Sequence, residues 1–142
     1  MGGLDKSSVA DSVVRASTNP PERALEAVRE GRLVRLYCKK DGEPAELYVF
    51  YGRDRSYIMI PRTFCTCKDF EMNVVSRRLK GTCYHLVSLE LAMSQNKVKA
   101  VEVDCETLES VLLELLLGES SITLRRILGA VSYTHLRAHG PY

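Results

Sequence analysis

At 142 residues the chain is one domain's worth, and a domain of that size can bury roughly two-thirds of its unfolded surface. Its 45% hydrophobic and 27% charged residues, with a net charge of +2, are ordinary for a soluble globular protein. No apolar run approaches the roughly 20 residues that a bilayer span needs. The N-terminal MGGLDKSSVADSVV lacks the continuous apolar stretch of a secretory signal. The expectation is therefore a cytoplasmic protein, nuclear if eukaryotic, with reduced thiols and no disulfides.

In chain order, residues 1–16 read as a flexible N-terminus. STNPPERALEAVREGR reads as a short helix: Ser17, Thr18 or Asn19 can cap it, the prolines suit its first turn, and Gly31 stops it. RLVRLYCKK alternates, with Val34, Leu36 and Cys38 on one side and Arg35 and Tyr37 on the other. A turn at Lys40-Asp41-Gly42 leads to AELYVFY, and SYIMI after Gly52-Arg53-Asp54 makes a third strand. DFEMNVVSRRLK reads as a loose helix ended by Gly81. TCYHLVSLELAMSQN is a clearer one, with Thr82 as N-cap and Leu86, Leu89 and Met93 as its core stripe.

VKAVEVD reads as a short strand or an extended linker, ETLESVLLELLLG as a leucine-rich helix, and SSITLRRIL as one more short helix. The tail from Val131, VSYTHLRAHGPY, looks like translated sequencing-adaptor read-through and is given no functional weight. The fold class expected is α+β: a small antiparallel sheet of about three strands with helices before and after. Residues 17–96 would form the principal domain and 97–130 a C-terminal strand or linker with leucine-rich helices.

Chemistry concentrates between Cys65 and His85, where Cys65-x-Cys67 and Cys83-x-His85 stand with 15 residues between the pairs. Tetrahedral zinc takes thiolates and neutral imidazole. Ligands close in sequence lower the entropy lost in assembling such a cage. Residues i and i+2 of an extended segment share a face, so Cys65 and Cys67 can look at one ion. Cys83 and His85 fall at the start of a helix, where the positive end of the dipole favours a thiolate. Four ligands leave no open position, so one structural Zn2+ is expected. A nucleophile with its base is the competing reading, but Cys83 and His85 in one helical turn would point apart. Cys38 and Cys105 read as ordinary core residues.

This C-x-C-x15-C-x-H pattern resembles the SWIM-type zinc finger, with Cys65, Cys67, Cys83 and His85 matching its four ligands one for one. A helix, a hairpin entering the first pair and the continuation CYHLVSLELA extend the likeness over roughly Pro20 to Gln95. With the short length, the chain resembles the small stand-alone SWIM proteins of the Shu complex and their archaeal relatives. One departure is Ser88, where the family usually has alanine; a small residue is retained. The resemblance implies an accessory factor of homologous recombination that partners a RecA-family recombinase paralogue on single-stranded DNA. The alternative is a generic DNA-binding SWIM module of regulatory or mobile-element origin.

No phosphate-binding G-x-x-x-x-G-K-[ST] loop, H-E-x-x-H, serine elbow or deaminase signature occurs, so no enzymatic activity is expected. From Arg53 to Lys80 there are seven basic residues (Arg53, Arg55, Arg62, Lys68, Arg77, Arg78 and Lys80) against three acids. These are the nucleic-acid candidates, with Tyr51, Tyr57, Phe64 or Phe70 available to stack on bases. The opposing reading is a solvated charged face over core aromatics. From Val101 to Glu119 there are six acids and no base. The leucine helix there is too apolar around its circumference, so Leu108, Val111, Leu112, Leu115 and Leu116 are candidates for a partner surface in a homo- or hetero-oligomer, or for a central core helix.

Overall fold

The computed structural model describes residues 6–129; the adaptor-like tail lies outside the described residues. Five strands form one sheet: β1 (Leu33–Lys40), β2 (Glu43–Tyr51), β3 (Ser56–Ile60), β4 (Phe64–Cys65) and β5 (Lys99–Glu102), in the spatial order β4-β3-β2-β1-β5. Helices α1 (Lys6–Ser17), α2 (Glu22–Arg29) and α3 (Tyr84–Ser94) lie on one face. Helix α4 (Cys105–Leu117) and a closing helix at residues 122–129 lie on the other. Among the described residues no helix is long and apolar enough to cross a membrane.

The hairpin follows from turn chemistry. Lys40 pairs with Glu43, so Asp41 and Gly42 alone make the turn, and both have left-handed φ, 53° and 79°. That is the type I′ geometry whose twist suits adjoining strands, and aspartate and glycine tolerate it best. Alternation then sends side chains to opposite layers. Leu33, Phe50 and Met59 join the core under α1, α2 and α3, whereas Val34, Leu36, Val49 and Ile58 join the core under α4.

Three expectations change. The sheet has five strands and is mixed, because β5 returns parallel to β1, pairing Val34 with Lys99 and Tyr37 with Glu102. The first 16 residues contain most of α1, which is anchored through buried Val9 and Val13 one helical turn apart. Finally, Cys38 and Cys105 form a disulfide. The expectation of reduced thiols came from compartment, not geometry. Here the Val103 N–H donates to the Tyr37 carbonyl (2.9 Å), which delivers the chain to the end of β1 and sets residue 105 beside residue 38.

Candidate metal centre

The first cysteine pair is presented by the end of the sheet. Cys65 lies opposite Met59 in the short β4 ladder. The next residue, Thr66, is clamped to β3 twice: its N–H donates to the Ile58 carbonyl, and its Oγ1 accepts from the Ile58 N–H, both at 3.0 Å. Fixing Thr66 toward the sheet leaves Cys65 and Cys67 looking the same way. The chain then enters a π-helical segment, Phe70–Ser76, whose first N–H donates to the Cys67 Sγ at 3.3 Å. Buried Phe70 and Val74 seat this segment. Asn73 and Lys80 each donate to the Asp69 carboxylate at 2.7 Å. Burial opposes that charge, but the two donors outweigh it and hold Asp69 below its ordinary value.

The second pair sits at the start of α3, one residue later than the sequence suggests. The N-cap is Cys83, not Thr82: its backbone is extended (φ −111°, ψ 164°), and the helix begins at Tyr84. An extended Cys83 is not one helical residue beside another, so the argument that Cys83 and His85 diverge fails. The four ligand atoms of Cys65, Cys67, Cys83 and His85 lie within 4.8 Å of one another, and the Cys65 Sγ is 3.8 Å from the His85 Nδ1. A tetrahedral ion with bonds of 2.0–2.3 Å would set such ligand atoms roughly 3.5–3.8 Å apart. The group therefore fits one metal ion with little contraction.

Burial disfavours a nucleophile on different grounds from those expected. The three sulfurs' residues are 1–2% exposed and His85 7%, leaving no approach for a substrate to the thiols. Their ionisation is coupled as three close sulfurs must be. Bonds from the Cys65 and Cys83 thiols, with further help from His85 and the Phe70 N–H, favour a thiolate at Cys67 and depress its pKa. At Cys65, the bond to Cys67, the bond to Cys83 and burial all raise the pKa. At Cys83, the bond from Cys65 favours the thiolate, but its own bond to Cys67 and burial prevail, and the pKa is pushed up to about 12. A cluster with one ready thiolate and two reluctant ones is what a dication would discharge by displacing the remaining protons.

Aromatic rings enclose the histidine. Phe50, Tyr57 and Tyr84 place their centroids 4.4, 4.9 and 4.2 Å from the His85 ring. Of these, Phe50 and Tyr84 escaped the sequence reading, although Tyr84 stands between the ligands of the second pair and Phe50 in an aromatic strand. Ser88 is fully buried, and its hydroxyl donates to the His85 carbonyl at 2.7 Å. A small residue in this place thus keeps the packing close and satisfies its own polar atom.

The basic candidates are scattered. Arg62 holds Glu90 of α3 with two bonds, 2.9 and 2.7 Å, and Lys80 holds Asp69, so neither cation is free for a ligand. Arg55 lies 3.4 Å from Glu119. Arg53, Lys68 and Arg77 are exposed and make no ion pair among the described residues, and Arg78 is exposed with left-handed φ of 55°. Of the stacking candidates, Phe70 is buried against Phe64, Tyr51 packs on the α4 core, and Tyr57 is half-buried beside His85. The partner candidates divide as well. Leu108, Val111 and Leu115 face the sheet as core, and Leu112 packs half-buried against them, while Leu116 is exposed. Leu113, Leu117 and Ile122 are exposed with it. No family model, curated protein or solved structure matches this chain.

Proposed function

We propose that the chain is a zinc-stabilised, non-catalytic module of SWIM type that works as an adaptor in recombinational repair, partnering a RecA-family recombinase paralogue. The observation that carries the metal part is the convergence of three buried sulfurs and the His85 Nδ1. Those donors suit zinc, and four of them fill its tetrahedron, so the ion would hold β4 against the start of α3 instead of activating water. The adaptor part rests on the likeness of the ligand pattern, and it draws support from the exposed leucine ridge. Leu113, Leu116, Leu117 and Ile122, each more than half exposed, offer a partner an apolar surface that a lone monomer leaves wet.

The test is co-purification with the recombinase paralogue, combined with elemental analysis. One zinc per chain and retention of the paralogue are expected, both lost in Cys83→Ser. Leu116→Asp with Leu117→Asp should keep the zinc and lose the paralogue. Zinc without capture of any such paralogue by the intact chain would remove the adaptor reading and leave the metal one standing. A second reading, a nucleic-acid-binding module, is favoured by a cleft in which Arg53 and Arg55 stand beside the Phe50, Tyr57 and Tyr84 rings and His85.

A further inference from the structure

The sheet ends at β5 on one side, and among the described residues no further strand pairs its outer edge. The register shows which backbone groups that leaves unpaired. β5 runs parallel to β1, with Ala100 beside Arg35 and Val101 beside Leu36, and the Val103 N–H donates to the Tyr37 carbonyl. Successive residues of a strand turn their N–H and C=O groups to opposite neighbours. Val103 turns inward to β1, so Val101 and Lys99 do the same. Val98, Ala100 and Glu102 therefore offer their backbone groups outward, as a ready template for another strand.

Beside this template lies a groove. Tyr48, Arg35 and Ala100 are in register, one row across β2, β1 and β5. They line a cavity of about 210 Å³ with Met93 of the last turn of α3 and with Asn96 and Val98 after it. The small Ala100 leaves the row open where an added strand would continue it, and exposed Met93 supplies an adaptable apolar wall. Side chains alternate along the edge. Val98 packs in the core under α3 and Val101 in the core under α4, so Ala100 and Glu102 face the α3 layer and Lys99 the α4 layer. Lys99 and Glu102 are exposed, and neither has an ion-pair partner among the described residues. Protected edges commonly carry a proline, a bulge or charges that repel a further strand. β5 has an unbroken register and one charge of each sign.

We propose that β5 takes up an extended peptide of a partner protein as a sixth strand, bonded through the main chain to Val98, Ala100 and Glu102. The edge specifies the chemistry of that peptide position by position. A carboxylate stands beside Lys99, an apolar side chain continues the row over Ala100 into the groove, a second apolar one lies beside Val101, and a cation stands beside Glu102. Backbone bonds supply the affinity, while the groove and the two charges supply register and selectivity. A second copy of the chain suits the edge less well. A two-fold axis through a joined sheet keeps each face on its own side, so Lys99 would oppose Val101 or Val103 and never Glu102. The surface involves neither the leucine ridge of α4 nor the cysteine cluster, and stands apart from the function proposed above.

The experiment is a titration of the full, isotope-labelled chain, followed by amide signals, with two capped peptides. Thr-Glu-Val-Val-Lys-Thr fits a parallel strand and Thr-Lys-Val-Val-Glu-Thr an antiparallel one. At least one is expected to bind, to shift the amides of Val98, Ala100 and Glu102 and to slow their hydrogen exchange. Thr-Lys-Val-Val-Lys-Thr sets a cation beside Lys99 in either direction and should bind about fivefold more weakly. Lys99→Glu should reverse that preference. Ala100→Pro removes an outward N–H and no bond to β1, so it should keep the urea midpoint and lose the peptide. If neither mixed peptide binds, the inference is overturned, and a stable Ala100→Pro that binds as wild type overturns it equally. Should Ala100→Pro fail to fold, Lys99→Glu decides alone, and an unreversed preference overturns the assigned occupant. Protection of the same amides that grows with protein concentration, without peptide, would make a second copy the occupant and overturn the partner peptide.

Discussion

Thr82 carries a buried hydroxyl with no hydrogen-bond partner among the described residues, one residue before the candidate ligand Cys83. The best N-capping residue type in the segment is thereby left out of the cap, since Cys83 takes the cap position in the extended conformation that turns its sulfur to the cluster. An unsatisfied buried hydroxyl costs about 1–3 kcal/mol, and valine has nearly the same shape. Thr82→Val is therefore expected to raise the stability of the metal-loaded protein by about 1 kcal/mol, read as a higher urea midpoint at unchanged slope. A lower midpoint would mean that the hydroxyl has a partner in solution. The same pair of residues shows what a sequence does and does not disclose at this scale. Thiolate and imidazole are few in kind and their spacing is local, so Cys65, Cys67, Cys83 and His85 are legible directly. Which backbone angle each adopts is set by the other three ligands and not by its neighbours, so the cap is misread.

Helix α4 shows the same division between local and distant causes one level up. Its N-cap is readable, with the Asp104 side chain accepting from the Thr107 N–H at 3.0 Å. Its far end is not. There the Glu114 carboxylate accepts from Ser121 Oγ (2.6 Å), Thr123 Oγ1 (2.7 Å) and the Thr123 N–H (3.1 Å), and so caps the closing helix from outside it. The bond from Ser121, then those from Thr123, hold the Glu114 carboxyl below its ordinary range. A depressed carboxyl stabilises the fold above the unfolded pKa, near 4.3, and that stability is lost as pH falls through the folded value. Glu114→Gln should cost about 1 kcal/mol at neutral pH and nothing once the Glu114 carboxyl is protonated in the folded and the unfolded protein alike. Urea denaturation of both proteins at pH 7 and again below that window measures it, and a loss that persists in acid would assign the effect to shape instead of charge. The hairpin was equally legible, because Asp41-Gly42 states its turn. In contrast, the buried stripe of α1 is narrow, Val9 and Val13 with Ala16 packed half-buried beside them among the described side chains, and β5 is a four-residue edge strand. Each exists because another element lies beside it.

At the scale of the whole molecule, the sheet separates two cores, and each has its own group of cysteines. The Cys/His cluster that could hold an ion belongs to the core under α1, α2 and α3; the disulfide joins β1 to α4 on the opposite face. That disulfide closes a loop of 67 residues, which in the chain-entropy picture stabilises the fold by about 4 kcal/mol. The five cysteines therefore fall into two groups, and nothing in their spacing tells Cys38 and Cys105 from buried apolar residues: their pairing is decided by β5 bringing α4 to the end of β1. Since the two ties share no partner, their removal should be additive to within about 0.5 kcal/mol. Cys38→Ser with Cys105→Ser should lower the denaturation midpoint by the same free energy whether or not metal has been stripped with a chelator, provided the stripped protein still unfolds in one transition. A disulfide effect that vanishes on chelation would mean that the face carrying α4 stays folded only while the cage holds the sheet, and the two cores would then be one cooperative unit governed by the metal.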